Sequence, residues 1–231
     1  SPVWDTSLIL NALLAGSEKT ETDPKILKAG QWLLDREVRE IGDWKIKNNR
    51  GPVGGWYFEY ANEFYPDCDD TAEVITVLNQ MQFSDPEKEK AKQVAQQRGL
   101  DWLLSMQNKD GGWPAFDKNC DKQSLTYMPF ADHNAMIDPS YEDITGRTLE
   151  ALASLGFSED DPIVRRAVDF LKSKQLPDGT WYGRWGCNFL YGTWLAISGL
   201  YHAGEDLNEE RYQSLLSWLE QCQNEDGGWG E

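Results

Sequence analysis

The stretch YPDCDDTAE, Tyr65 to Glu73, sets Asp67, Asp69 and Asp70 around one cysteine. Carboxylates this close repel one another, so at least one resists ionising. Three chemistries fit the spacing. The first is structural: acidic residues favour a helix N-terminus, and Asp69 and Glu73 fall on one helical face. The second is a Mg²⁺ site for a diphosphate, since clustered carboxylates suit hard cations. The third is acid catalysis, in which burial and neighbouring anions keep one carboxyl protonated at neutral pH.

The surrounding residues favour the third. A diphosphate site also needs basic residues and a second polar motif, and no convincing N-D-x-x-S-x-x-x-E companion is present. Aromatics crowd the acids instead: Trp56, Tyr57, Phe58, Tyr60, Phe64 and Tyr65 precede them, and WYGRWGCNFLYGTW, Trp181 to Trp194, supplies more. Aromatic faces stabilise a cation without offering it a nucleophile, by about 0.5–2 kcal/mol per ring. That combination suits carbocation chemistry.

The elements that must position these groups are helices. The 231 residues, 40% of them hydrophobic, can build a substantial core. A net charge of −17 argues against nucleic acid as partner, because phosphate backbones are held by clustered Lys and Arg. Cys68, Cys120, Cys187 and Cys222 stand too far apart for a zinc ribbon or a disulfide framework. No apolar run reaches the about 18 residues of a membrane span, and TWLAISGLY reads as a buried helix. His133 and His202 share no ligand spacing with each other or with cysteines, so both read as structural and no metal site is expected. The opening SPVWDTSLIL lacks a signal-peptide pattern, and both ends read as cut from a longer protein.

An internal repeat organises the chain. RGLDWLLSMQNKDGGW (Arg98 to Trp113), RAVDFLKSKQLPDGTW (Arg166 to Trp181) and SLLSWLEQCQNEDGGW (Ser214 to Trp229) share an aromatic, a Leu, a Gln five positions after the aromatic, an Asp-Gly and a closing Trp. A weaker copy runs from Lys28 to Trp44, with Glu37 in the glutamine position. Each copy reads as a helix C-terminus entering a turn, with Gln satisfying freed backbone groups and Trp packing over the turn. Helical patterns lie between the copies, near Ser7 and from Asp69, Glu142 and Tyr191, while strand-like alternation is scarce. Repeating helix pairs predict an all-α solenoid or a closed double-layer α-barrel.

The repeat resembles the QW motif of triterpene cyclases, and YPDCDDTA resembles the D-x-D-D motif of the squalene-hopene cyclases within that family. SPVWDT, GRWGCNFLYGT and DPSYEDITGRTLE also resemble family segments, in the expected order. The resemblance covers essentially residues 1–231 and implies an α/α6 double-layer helical barrel (toroid), part of a two-barrel enzyme whose second barrel and C-terminal segment lie outside this sequence. It implies protonation of squalene by Asp69, with Asp67 and Asp70 flanking, and closure to pentacyclic hopene or hopanol without metal or cofactor. Arg147 takes the position that contacts the donor, where some members carry His; an Arg cannot relay a proton and would act as a fixed charge. Without the resemblance, Arg147 reads as a helix-surface partner of Glu150. Asp143 matches an acidic position behind the donor. Trp4, Phe58, Phe116, Trp185 and Tyr191 match cavity-lining positions, Phe116 standing where some relatives have tyrosine, and Phe130 with Ala131 matches a nonpolar entry channel. The resemblance further implies a bacterial homodimer resting monotopically on the cytoplasmic side of the membrane, where so apolar a substrate resides. The alternatives are another D-x-D-D polyprene cyclase, of sesquarterpene or diterpene type, and a lipid-binding barrel without catalysis.

Overall fold

A computed structural model describes residues 1–16, 22–128, 136–186 and 188–230. Among these the structure is helical throughout, with α1 (Pro2–Gly16), α2 (Pro24–Leu34), α3 (Cys68–Gln80), α4 (Pro86–Met106), α5 (Glu142–Ser154), α6 (Pro162–Lys174), α7 (Phe189–His202) and α8 (Glu210–Cys222). Extended pairing among the described residues is limited to isolated bridges, Trp56 with Asp67, Trp113 with Tyr141 and Cys120 with Asp138. The chain forms two compact units: Ser1–Gln107 with Pro114–Pro139, and Asn108–Trp113 with Ser140–Glu231.

The helices alternate in kind. α2, α4 and α6 each begin with proline after an aspartate, the order that suits the first turn because proline's missing N–H has no intrahelical partner there. The Asp23 and Asp85 side chains accept from Lys25 N–H (2.8 Å) and Glu87 N–H (2.9 Å), caps worth about 1 kcal/mol each. α3 and α5 instead bury residues on nearly every side, as helices do when flanked by protein all round. In the first unit α3 packs on α1 and α4; in the second α5 packs on α6 and α7. The α5–α7 contact is close because both helices carry glycine there: a Cβ on Gly146 would lie 2.2 Å from Leu195 O, and one on Gly199 2.4 Å from Gly146 O.

The repeated turns share one construction. The closing indole N–H returns to the helix it follows, from Trp181 Nε1 to Leu171 O (2.8 Å) and from Trp229 Nε1 to Leu219 O (2.8 Å). In the first copy the expected Trp44 does not play this part, and its Nε1 has no hydrogen-bond partner among the described residues. Trp56 takes the role across an insertion, donating to Leu33 O at 2.7 Å. The backbone agrees: Val38 N–H donates to Gly55 O (2.9 Å), as Asn108 does to Gly112 O (2.9 Å) and Leu176 to Thr180 O (2.9 Å). The Gln position ties its turn to the next helix. Gln175 Nε2 donates to Gly179 O (3.2 Å) and to Arg211 O of α8 (3.0 Å), while Glu37 accepts both Arg98 Nε (2.6 Å) and Nη2 (2.9 Å) from α4. The fourth turn leaves Trp229 50% exposed, whereas Trp56, Trp113 and Trp181 are fully buried.

Each turn then locks the start of the next buried helix through a threonine. Thr71 Oγ1 accepts Trp56 N–H (2.9 Å), Thr145 Oγ1 accepts Trp113 N–H (3.0 Å) and Thr193 Oγ1 accepts Trp181 N–H (2.9 Å). Asp67 N–H and Tyr141 N–H also return to Trp56 O (2.9 Å) and Trp113 O (3.0 Å). Counted from the threonine, α3 and α5 start at the same position and α7 one residue earlier. Asp67, Tyr141 and Phe189 share one slot; Asp69, Asp143 and Tyr191 share a second, two residues on; and Glu73, Arg147 and Leu195 share a third, one turn further on the face of the second.

Candidate active site

In the first unit the aspartate motif is the N-terminus of α3. Asp67 is its cap, with extended backbone, and its Oδ1 accepts Asp70 N–H at 2.7 Å. Capping and acidity thus fall on the same residue. Asp67 and Asp70 are buried, at 3% and 1% exposure, while Asp69 between them is half-buried. Burial pushes the Asp67 carboxyl well above the usual range, and the Asp70 charge adds to this; the Asp70 N–H bond pulls the other way without offsetting it. The crowding that marks the motif in sequence is therefore secondary to desolvation. Asp67 Oδ2 accepts no N–H among the described residues, and what adjoins it is the Asp70 carboxylate. A buried carboxyl raised in this way beside a second carboxyl favours keeping a proton at the site.

Neighbouring groups fix the helix start. Thr71 clamps it to Trp56, and Glu73, one turn after Asp69, accepts from Asn11 Nδ2 of α1 at 3.2 Å. Cys68 N–H donates to Ala115 O at 2.9 Å. The Cys68 thiol is fully buried and pushed up by burial, so it is not a nucleophile.

The aromatics expected around the acids divide. Trp56 and Tyr57 are core residues, and Trp56 spends its N–H on Leu33. Phe58, Tyr60 and Phe64 are exposed at 49%, 64% and 53%, and the Tyr60 ring already faces the Arg36 guanidinium at 5.6 Å. Phe116 is half-buried against Tyr65, with ring centroids 5.3 Å apart, and Trp4 is half-buried on α1. Phe130, Ala131, His133 and Cys187 lie outside the described residues.

In the second unit Asp143 and Arg147 stand one turn apart on α5, at 1% and 7% exposure. The surface pairing of Arg147 with Glu150 is not formed: Arg147 is buried and donates to Tyr191 Oη at 3.2 Å, and Glu150 accepts from Ser198 Oγ at 3.0 Å. Asp143 Oδ1 accepts Ile144 N–H (2.9 Å), and its Oδ2 accepts Arg184 N–H (2.8 Å) and Trp185 N–H (2.9 Å). It thereby fixes the turn carrying Trp185, whose half-exposed ring meets Tyr141 edge-on at 6.2 Å. The pairing expected between Arg147 and Asp69 joins residues of the two units and is taken up as a proposal below. His202 Nδ1 lies 2.8 Å from Ser198 O near the end of α7, a helix-end contact with no chemistry attached.

Sequence reasoning missed the three threonines and Asp138. The threonines carry a readable signal, since each stands four residues after a helix-start slot. Asp138 carries none, because its partners are backbone N–H groups distant in sequence.

Comparison with known proteins decides the family. The family profile described as squalene-hopene cyclase C-terminal domain matches residues 1–231. The chain belongs to this family. Among curated relatives of the family, the squalene–hopene cyclase of Zymomonas mobilis is 39% identical over all of the chain and 35% of that protein. Sporulenol synthase of Bacillus subtilis is 42% identical over 89% of the chain and 31% of that protein. The chain thus spans about a third of the length of the curated relatives it matches. Among solved structures, a variant of the type II terpene cyclase MstE from Scytonema, bound to its product merosterolic acid A, superposes with a TM-score of 0.62 at 16% identity, over 99% of this chain and 57% of that one. This likeness shows the fold, the all-helical α/α fold of terpene cyclases.

Proposed function

We propose that this chain carries the acid of a squalene-hopene cyclase. The observation that carries the reading is the start of α3, where buried Asp67, its carboxyl pushed well above the usual range, and buried Asp70 stand directly beside half-buried Asp69, in a chain of this family. An alkene is a very weak base, so its protonation requires a carboxylic acid kept un-ionised out of water. Asp69 donates its proton to a terminal double bond of squalene and becomes a carboxylate, and the alkene becomes a tertiary cation. Successive double bonds attack that cation and close rings past aromatic faces. The last cation loses a proton to give hopene, a net isomerisation, or takes up water and loses a proton to give hopanol. Asp67 and Asp70 polarise the donor, Arg147 supplies a fixed positive charge, and Asp143 holds its surroundings.

The reaction in this reading consumes no cofactor. The insolubility of squalene in water supports work at a membrane surface; the homodimer and the cytoplasmic side of a bacterial cell belong to this reading through the family resemblance. None of the helices among the described residues is long and apolar enough to cross a membrane, which is compatible with monotopic attachment.

The test is to incubate the full-length protein containing this chain with squalene and EDTA, as wild type and as Asp69→Asn, and to analyse products by gas chromatography with mass detection. Pentacyclic product from wild type alone is the expected result. A second reading follows from the 42% identity to sporulenol synthase, equal to that of relatives named squalene–hopene cyclase: the same acid acting on another polyprene. Product from a different polyprene and none from squalene would select it. Wild-type protein that binds squalene or another polyprene and cyclises neither would leave a lipid-binding role.

A further inference from the structure

We propose that Asp138 is a positioning residue for the acid motif, its carboxylate fixing the 115–117 turn that seats the N-terminus of α3 and orients Phe116. The inference rests on the cyclase reading above. Asp138 is buried, at 7% exposure, and three backbone donors converge on it: Ala115 N–H on Oδ1 at 3.1 Å, Phe116 N–H on Oδ2 at 2.5 Å and Asp117 N–H on Oδ2 at 2.6 Å. Its own N–H donates to Cys120 O at 2.7 Å, so both ends of the turn are held from one residue. Between them the chain passes through Asn119 at φ 53°, a left-handed conformation that asparagine tolerates better than most residues.

Two contacts lead from this turn to the motif. Ala115 O accepts Cys68 N–H (2.9 Å), one of the first N–H groups of α3, which lack intrahelical partners. The Phe116 ring packs on Tyr65, two residues before Asp67, at a centroid distance of 5.3 Å. A shift of the turn therefore moves both the acid and a ring expected to line the cavity. The neighbourhood is acidic: Asp43, Asp117 and Asp138 all act on Tyr65, whose phenol burial pushes up to about 12. Burial raises Asp138 itself to about 6 despite its three N–H partners, so at neutral pH it is the ionised acceptor they require.

The test uses the full-length protein and two variants. Asp138→Asn replaces one acceptor oxygen with an N–H₂ group that cannot receive a backbone N–H. Cys68→Pro deletes the donor to Ala115 O, at a first-turn position that suits proline, and Cys68→Ala, which keeps the donor, controls for loss of the buried thiol. Asp138→Asn and Cys68→Pro are each expected to lower kcat about 10- to 100-fold with KM within a few-fold, the cost of an ångström-scale misplacement. The double variant is expected to fall no further than the worse single one, with partly cyclised products accumulating. Wild-type kcat and products in either folded variant, or effects that multiply in the double variant, would overturn the inference. If Asp138→Asn does not fold, Cys68→Pro alone decides, an unchanged kcat overturning it. A wild-type protein that cyclises no polyprene removes the parent reading and this inference together; an active wild type beside unchanged variants removes this inference alone.

Discussion

Asp69 and Asp143 occupy the same slot in two successive helix starts, and their surroundings differ in what they leave for chemistry. Both helices are locked by a threonine on the preceding tryptophan N–H, and both return a backbone N–H to that tryptophan's carbonyl. Around Asp143 three backbone N–H groups converge on the carboxylate and hold it in place. Around Asp69 stand two more carboxylates, one a buried cap held above its usual range. The next slot follows suit, with Glu73 in α3 and Arg147 in α5. One backbone frame therefore serves two electrostatic purposes, anion crowding in the first unit and anion fixation in the second. A third use appears in α7, where the slot holds Tyr191, the partner of Arg147.

Ways to break this comparison fall in order of size. Asp69→Asn should cost about 10²- to 10⁴-fold in turnover, the usual contribution of a positioned acid, with little change in thermal midpoint; product analysis and a melting curve check both parts. Asp143→Asn should act chiefly on stability, because the amide keeps one acceptor oxygen and cannot serve Ile144 N–H on one side and Arg184 and Trp185 N–H on the other. A loss of about 1–3 kcal/mol in denaturant unfolding is expected. Thr71→Val and Thr145→Val remove the same contact in each unit and should each cost about 1–2 kcal/mol; clearly unequal losses would show that the two starts are not built alike.

The smallest effect is a pH dependence. Burial raises Glu142, beside Asp143, to about 7. A carboxyl raised in the folded state stabilises the fold at low pH, and that contribution is lost as pH rises through the folded value. Glu142→Gln should therefore melt higher than wild type at pH 8 and lose the difference by pH 5, as followed by circular dichroism.

Much of this was legible in the sequence, for physical reasons that also mark its limits. The D-x-D-D cluster and three of the four turns are local patterns, fixed by side chains a few residues apart, and they stand where the spacing placed them. The first turn misled because an insertion separates Glu37 from its closing indole: Trp44 sits at a plausible distance in sequence, but the hydrogen bond to Leu33 belongs to Trp56. Exposure was not legible either. Phe58 and Phe64 lie in an aromatic run beside buried Trp56 and Tyr57, and no sequence period separates the two pairs. The role of Asp138 depends on the path of a turn some twenty residues away, which sequence spacing does not encode.

The central claim is that a carboxyl in the Asp67–Asp70 cluster stays protonated, and infrared spectroscopy of the protein at pH 8 reads this directly. At that pH Asp138 and Glu142 are largely ionised, given values of about 6 and about 7. The account predicts a protonated-carboxyl C=O stretch in wild type that persists in Asp143→Asn and disappears in Asp67→Asn. No such band in wild type, or a band lost with Asp143 instead, would contradict it.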